Sequence, residues 1–234
     1  PPTAQAEMTL YQPATAVRLH YFGEVPIRVP AGKNPPPGAI IDYYFKSAPK
    51  DEVTLDLLDG QGKVVRHFSS KEKKEADQPP EWPDQPQPVK TIPAKAGMNR
   101  FAWDLRYDDP VQTPGAFYAG EQPNGPVVPP GDYQVKLTVN GQTQTAPLHV
   151  VIDPREKDAG AGIQQAVALG LQVRDRISQL HQAINDIRET NAQIDSLQKR
   201  FANNDNVKPA LAAADATEKK AAEVEGVLMQ VKMK

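Results

Sequence analysis

The sequence has no cysteine among its 234 residues. Disulfide bonds, thiolate nucleophiles and cysteine-based zinc or iron–sulfur sites are therefore excluded. It has only five serines, and none of them lies in a G-x-S-x-G turn, which argues against an acyl-transfer nucleophile. No apolar run approaches the roughly 20 residues that a membrane-spanning helix needs. These absences remove several enzyme classes and predict a chain without a membrane span.

Charge and histidine content reduce the number of function classes that remain. The net charge is −2, which does not favour binding to nucleic acid or to an anionic membrane. None of the four histidines lies at a metal-ligand spacing from another. We place His67 and His149 on strands and His181 on a helix surface. No metal, cofactor or catalytic residue is predicted.

Proline is distributed very unevenly. Pro209 is the only one of the 24 prolines that follows residue 155, which indicates a change from strands and loops to helices. We predict an extended proline-rich strap at 1–38, a β-domain at 39–155 and an antiparallel helical hairpin at 156–234. The strap is either an edge strand over the sheet or an arm that docks on a neighbouring domain.

Alternating apolar residues predict short strands in the central region. The segments AIIDYYFK (39–46), VTLDLLD (53–59) and KVVRHF (63–68) have this pattern, and DGQG makes the last two a hairpin. NG at 140–141 joins GDYQVKLTV and QTQTAPLHVVID as a second hairpin. Strands joined by hairpins, without helices between them, predict an antiparallel β-sandwich of the immunoglobulin or fibronectin III type.

The stretch GMNRFAWDLRY (97–107) poses a choice between a charged site and a core strand. Its aromatic and aliphatic residues occupy odd positions, and Asp104 occupies an even one, so a strand would point them to opposite faces. We interpret the stretch as a core strand with Asp104 on the outer face. The predicted core signature is Phe101, Trp103, Leu105 and Tyr133.

The helical region has apolar residues at alternating spacings of four and three. The predicted coiled-coil seam is Val173, Ile177, Leu180, Ile184, Ile187, Asn191 and Ile194. After a break at ANNDN (202–206), a second seam follows at Val207, Leu211, Ala214, Ala221, Val224, Leu228 and Val231. Because this pair has a thin core, we expect a third helix, a protein partner or self-association to complete it.

Two exposed aromatic residues are the candidates for ligand or partner contact. Trp82 and Tyr118 lie in polar loops and could stack on a sugar, although packing on the sheet edge is favoured. A carboxylate pair formed by Asp104 with Asp108 or Asp109 is the weaker, catalytic alternative.

Five segments in this order resemble a known arrangement: NPPPGAIIDYYF, VTLDLLDGQGKVVRHF, AKAGMNRFAWDLRY, PPGDYQVKLTVNGQTQTAPLHVVIDPR and LGLQVRDRISQLHQAINDIRE. They resemble the region after the β-propeller in large exported bacterial BNR-repeat, sortilin-like proteins, which are often labelled glycosyl hydrolases. More loosely, they are similar to the immunoglobulin-like domain of flagellar hook-capping proteins. The resemblance implies an Ig-like sandwich and a periplasmic or extracellular location, and it assigns no catalytic residue to this chain.

The sequence begins at Pro1 and ends within an amphipathic pattern, which we interpret as a fragment of a longer protein. The predicted function is a non-catalytic accessory module that packs against the propeller of its own parent chain or mediates assembly. The alternative is a carbohydrate-binding module or part of a glycoside hydrolase.

Overall fold

The computed structural model describes residues 6–19, 37–71, 91–116, 123–156, 160–202 and 204–229. The strands are β1 (Met8–Leu10), β2 (Ala16–Arg18), β3 (Ala39–Phe45), β4 (Thr54–Asp59), β5 (Val64–Ser69), β6 (Gly97–Trp103), β7 (Gly131–Val139) and β8 (Gln142–Ile152). The helices are α1 (Gly160–Phe201) and α2 (Lys208–Leu228), with a 3₁₀ turn at Asp205–Val207 between them. The predicted change from strands to helices near residue 155 is confirmed.

The chain divides into two compact units. The first holds residues up to 108 together with 124–171, and the second holds 109–123 together with the chain from 172 onward. This division differs from the predicted boundary at residue 155. The described residues 109–116 group with the helices, and the first turns of α1 group with the strands.

The strands of the first unit form two sheets. One has three strands in the order β1-β3-β6, and the other has five in the order β2-β8-β7-β4-β5. All pairings between these eight strands are antiparallel except that of β2 with β8, which is parallel. The strands within residues 39–155, where an antiparallel arrangement is predicted, pair with one another in antiparallel fashion, and the parallel pairing involves β2 of the predicted strap. The segment 11–15 carries the chain from the first sheet to the second, where β2 pairs with β8.

Both predicted hairpins are confirmed. The Asp59 carboxylate accepts hydrogen bonds from the amides of Gln61 and Lys63, each at 2.9 Å, which fixes the turn between β4 and β5. At the second hairpin Asn140 and Gly141 have φ angles of 50° and 73°, as a two-residue turn with left-handed backbone requires.

The inward faces of both sheets contribute to one hydrophobic cluster. The largest wholly buried side chains are those of Trp103, Tyr43, Phe45, Ile41, Leu55, Leu57, Leu137 and Leu148, with Val53, Val128 and Val135. Apart from Val53 and Val128, which lie outside the strands, they come from alternate positions of β3, β4, β6, β7 and β8, because alternate residues of a strand face the same side. Burial of such side chains stabilises a fold by roughly 1.5–3 kcal/mol each.

The stretch 97–107 is a strand only as far as Trp103. Leu105 is also buried, but its φ angle is 60°, so it enters the core from a turn and not from a continuing strand. Asp104 is exposed, and its carboxylate accepts a hydrogen bond from the Arg106 amide at 3.1 Å. The turn thus keeps Leu105 inside while the charged residues remain outside.

Tyr133 links the start of β7 to the preceding loop. Its ring is buried against Trp103, with the ring centroids 6.0 Å apart in an edge-to-face arrangement. Its hydroxyl donates a hydrogen bond to the carbonyl oxygen of Pro129 at 2.8 Å. Burial raises the pKa of this phenol. The residue therefore stays a neutral hydrogen-bond donor at physiological pH.

A side-chain amide connects the two sheets at β1. Gln144 of β8 accepts a hydrogen bond from the Leu10 amide at 2.7 Å and donates one to the Met8 carbonyl oxygen at 3.0 Å. These are the contacts that a neighbouring strand would make with β1. Gln144 therefore holds β1 without extending the sheet.

The 42 residues of α1 span about 60 Å, as predicted for a long first helix. Pro209 lies in the first turn of α2, where a missing amide hydrogen costs little. Within the second unit, Arg188 contacts Glu225 and Gln198 contacts Asp215. The paired residue numbers rise on α1 as they fall on α2, so the two helices run in opposite directions.

Candidate functional site

The second unit holds an extended segment, residues 111–114, against one face of α1. The side chains responsible are those of Ser178, His181, Asn185 and Arg188, spaced three, four and three residues apart. Such spacing places them on one side of the helix. The segment's backbone is therefore bound through the polar groups that every peptide carries.

Each contact pairs one side chain with one backbone group. Ser178 accepts a hydrogen bond from the Val111 amide at 3.2 Å. Asn185 donates to the Gln112 carbonyl oxygen at 2.9 Å, and Arg188 donates to that of Pro114 at 2.7 Å. Because the partners are 67 to 74 residues apart in the chain, these bonds close a long loop.

His181 is buried, with 3% of its surface exposed, so its predicted position on the helix surface is wrong. Its Nδ1–H donates to the carbonyl oxygen of Val111, since a carbonyl oxygen can only accept. Sequence reasoning missed this role because residues 111–114 carry no strand or helix pattern that would place them against α1.

Arg188 connects three parts of the second unit. Besides residue 114, it reaches Glu225 on α2, where its Nε lies 2.7 Å from Oε1. The Glu225 side chain is only 13% exposed, so this carboxylate depends on Arg188 for a partner. The pair fixes the register between α1 and α2.

Only part of the predicted seam on α1 is buried. Ile184 and Ile194 are buried and Val173 is half exposed, whereas Ile177, Leu180, Ile187 and Asn191 are intermediate. The Oδ1 atoms of Asn191 and Asn185 are both buried, and neither has a hydrogen-bond partner among the described residues. The polar position that the sequence identified is therefore enclosed but unsatisfied.

The second seam needs a correction at its end. Val224 is half exposed, and Glu225 takes the inward position beside it. An α-helix has 3.6 residues per turn, so a strict alternation of four and three drifts away from the partner helix. Val231 lies outside the described residues.

An apolar surface remains on the C-terminal end of α2, formed by Val224, Val227 and Leu228. Their exposed fractions are 50%, 87% and 37%, and no described residue of α2 is buried. Residues three and four apart share a face of the helix. We refer to these three residues as the α2 apolar surface.

The first unit has polar pairs on the outer face of its five-stranded sheet. His67 and Asp56 lie 2.6 Å apart, with Lys136 at 3.7 Å from the same carboxylate, and His149 pairs with Asp132 at 2.6 Å. Within the described ranges, no group of three or more histidine or acidic side chains is arranged to hold a metal ion. These pairs connect neighbouring strands.

The residues predicted for the core and for ligand contact have different outcomes. Phe101, Trp103, Leu105 and Tyr133 are all buried, in agreement with a role in packing. Trp82 and Tyr118 lie outside the described residues. In the part of the chain that is described, no helix has the length and apolar character needed to cross a bilayer.

No protein-family model, curated protein or solved structure matches this chain.

Proposed function

We propose that this chain is a non-catalytic accessory module of a larger exported bacterial β-propeller protein, in which it packs against the propeller or mediates assembly. The observation that carries the proposal is the α2 apolar surface. Three apolar side chains that stay in water on a two-helix unit mark a face suited to a partner. The motif order that resembles the region after such propellers supports a propeller as that partner.

The finer fold that we propose is an Ig-like sandwich. In the letters of that fold, β1, β3 and β6 correspond to strands A, B and E, and β8, β7, β4 and β5 correspond to G, F, C and C′. The parallel pairing of β2 with β8 then corresponds to a first strand divided between both sheets. The hydrogen bond from Tyr133 to Pro129 supports this reading, since a tyrosine near the start of strand F makes such a bond in Ig-like domains.

The parent gene's full reading frame provides the first test. The proposal predicts a secretion signal and a β-propeller upstream of Pro1, and a frame that encodes neither would contradict it. The propeller should then be produced separately and its binding to this chain measured by calorimetry.

Variants of α2 make the binding experiment specific. Val227→Asp places a charge in the α2 apolar surface and should weaken binding at least tenfold. Ala222→Asp adds the same charge on another exposed face of α2 and should leave binding unchanged. Equal binding by both variants would show that this surface is not the contact.

The non-catalytic part of the proposal has its own test. The chain should hydrolyse no glycoside or ester substrate from a chromogenic panel. Turnover that disappears in Asp104→Asn would overturn it.

A further inference from the structure

A shallow depression of about 320 Å³ lies on the outer face of the three-stranded sheet. It is lined by Tyr11, Gln12, Pro13, Ala14, Ile40, Asp42 and Arg100. These residues come from three places in the first unit: the segment that leaves β1, strand β3 and strand β6. The volume is at the lower end of the range of small-molecule sites.

The two charged residues of the depression, Asp42 and Arg100, form one ion pair, in which the Arg100 side chain is 68% exposed. Asp42 and Arg100 are directly opposite each other on β3 and β6. Arg100 Nε lies 2.7 Å from Asp42 Oδ1, and Nη2 lies 2.8 Å from Oδ2, so the contact is bidentate. The described contacts use two of the five guanidinium N–H groups and leave lone pairs on both carboxylate oxygens.

The ion pair is electrically neutral over a wide pH range. The hydrogen bonds from Arg100 lower the pKa of Asp42, and those to Asp42 raise the pKa of Arg100. A neutral pair that offers donors and acceptors side by side is complementary to a hydroxylated ligand. It gives an anion little net attraction, because the carboxylate cancels the charge of the guanidinium.

Apart from the exposed Gln12, the remaining wall is mostly apolar. Tyr11 and Ile40 are half-buried and Pro13 is buried, so each is held in position by the fold. The Tyr11 amide donates to the Asp42 carbonyl oxygen at 3.0 Å, which ties the segment leaving β1 to the sheet beside the ion pair. A ring with one apolar face and a hydroxylated edge matches this combination.

We propose that this depression binds one pyranose unit of a neutral carbohydrate, with Tyr11 and Ile40 against the sugar's apolar face and the Asp42–Arg100 pair hydrogen-bonded to neighbouring hydroxyl groups. The site uses the first unit alone and does not depend on the proposed packing through α2. It also differs from the carbohydrate contact predicted at Trp82 and Tyr118.

The test is an NMR titration of the isotope-labelled chain. The probes are glucose, galactose, mannose and N-acetylglucosamine, each up to 50 mM, with sodium acetate as the anionic comparison. We expect at least one sugar to give saturable shifts at the amides of Tyr11, Ile40, Asp42 and Arg100, with a Kd in the millimolar range. Absence of saturable shifts for every sugar, or shifts with acetate alone, would overturn the site.

Three variants separate the site from the rest of the surface. Arg100→Gln and Tyr11→Leu should each weaken sugar binding at least fivefold while the remaining amide spectrum stays unchanged. Lys46→Gln removes an exposed ion pair with Glu7 just beyond the end of β3 and should bind sugar like the unchanged chain. Wild-type affinity in both Arg100→Gln and Tyr11→Leu would contradict the assignment.

Discussion

The indole Nε1–H of Trp103 donates a hydrogen bond to the carbonyl oxygen of Arg106 at 3.0 Å. The ring is wholly buried, and its one polar atom is satisfied by the turn that follows its own strand. Trp103 therefore contributes both apolar area to the core and a constraint on the turn that brings Leu105 inside.

Trp103→Ala should destabilise the first unit by about 3–5 kcal/mol, because it removes a large buried side chain and leaves a cavity. Urea denaturation followed by far-UV circular dichroism measures this loss. Asp104→Asn, at the next position, is the control and should change stability by less than about 1 kcal/mol, since that side chain is exposed. A similar loss in both variants would contradict the division of this stretch into inner and outer residues.

Gly38→Ala should destabilise the fold more than its small change in side-chain volume suggests. A Cβ atom at Gly38 would lie 1.9 Å from the carbonyl oxygen of Trp103, in backbone contact that no rotamer can relieve. We expect a cost of at least about 3 kcal/mol in the free energy of unfolding.

Gly62→Ala is the matched comparison for Gly38. Gly62 also has a positive φ angle, 80°, but a Cβ there would meet nothing within 4 Å. Gly62→Ala should reduce the free energy of unfolding by only about 1 kcal/mol, which is the penalty of the backbone conformation alone. Equal costs at the two positions, measured by urea denaturation, would rule out the steric explanation.

Asp153 should make the fold sensitive to acid. Hydrogen bonds from the Arg155 side chain and amide lower the pKa of this carboxyl group from 3.8 to about 2. Because folding lowers the pKa, the ionised group stabilises the fold above its ordinary pKa, and this contribution disappears as the pH falls towards 2. Asp153→Asn should therefore reduce stability at pH 7 and flatten its decline between pH 4 and pH 2.5.

The cause assigned to that pKa can be tested separately. Arg155→Gln keeps the carboxyl group but removes its charged partner, whose side chain is 80% exposed. Urea midpoints between pH 7 and pH 2.5 should show part of the flattening seen in Asp153→Asn, because the backbone amide at position 155 still donates to the carboxylate. An unchanged pH profile in Arg155→Gln would mean that Arg155 is not the source of the shift.

Asn191→Leu should stabilise the second unit. The buried Oδ1 of Asn191 has no partner among the described residues, and an unsatisfied buried acceptor costs about 1–3 kcal/mol. Thermal denaturation should show a higher midpoint, and Ser196→Leu at an exposed position of α1 should change stability by less than about 0.5 kcal/mol. A lower midpoint in Asn191→Leu would show that the amide is satisfied in solution.

Local patterns predicted the parts of this fold that depend on neighbours in sequence. The turns at Asp59 and Asn140, the alternation of β3 and β7, and the proline in the first turn of α2 follow from short-range backbone preferences. Asn191 could also be identified, because a polar residue interrupts an otherwise apolar repeat.

Other features depend on residues far apart in the chain, and no local sequence pattern predicts them. The parallel pairing of β2 with β8 joins Ala16 to Val150, and the burial of His181 depends on a backbone segment 70 residues away. The Asp42–Arg100 pair appears only once β3 and β6 are in register. The amino-acid sequence near each of these residues does not show which distant residue will be its partner.

Hydrogen–deuterium exchange of α2 tests the central claim most directly, by comparing this chain alone with the full-length product of its gene. The proposed packing of the α2 apolar surface against the rest of a parent protein predicts at least tenfold slower exchange at residues 224–228 in the full-length protein, because a covered helix end opens less often. Equal exchange rates at residues 224–228 in the two proteins would contradict the account.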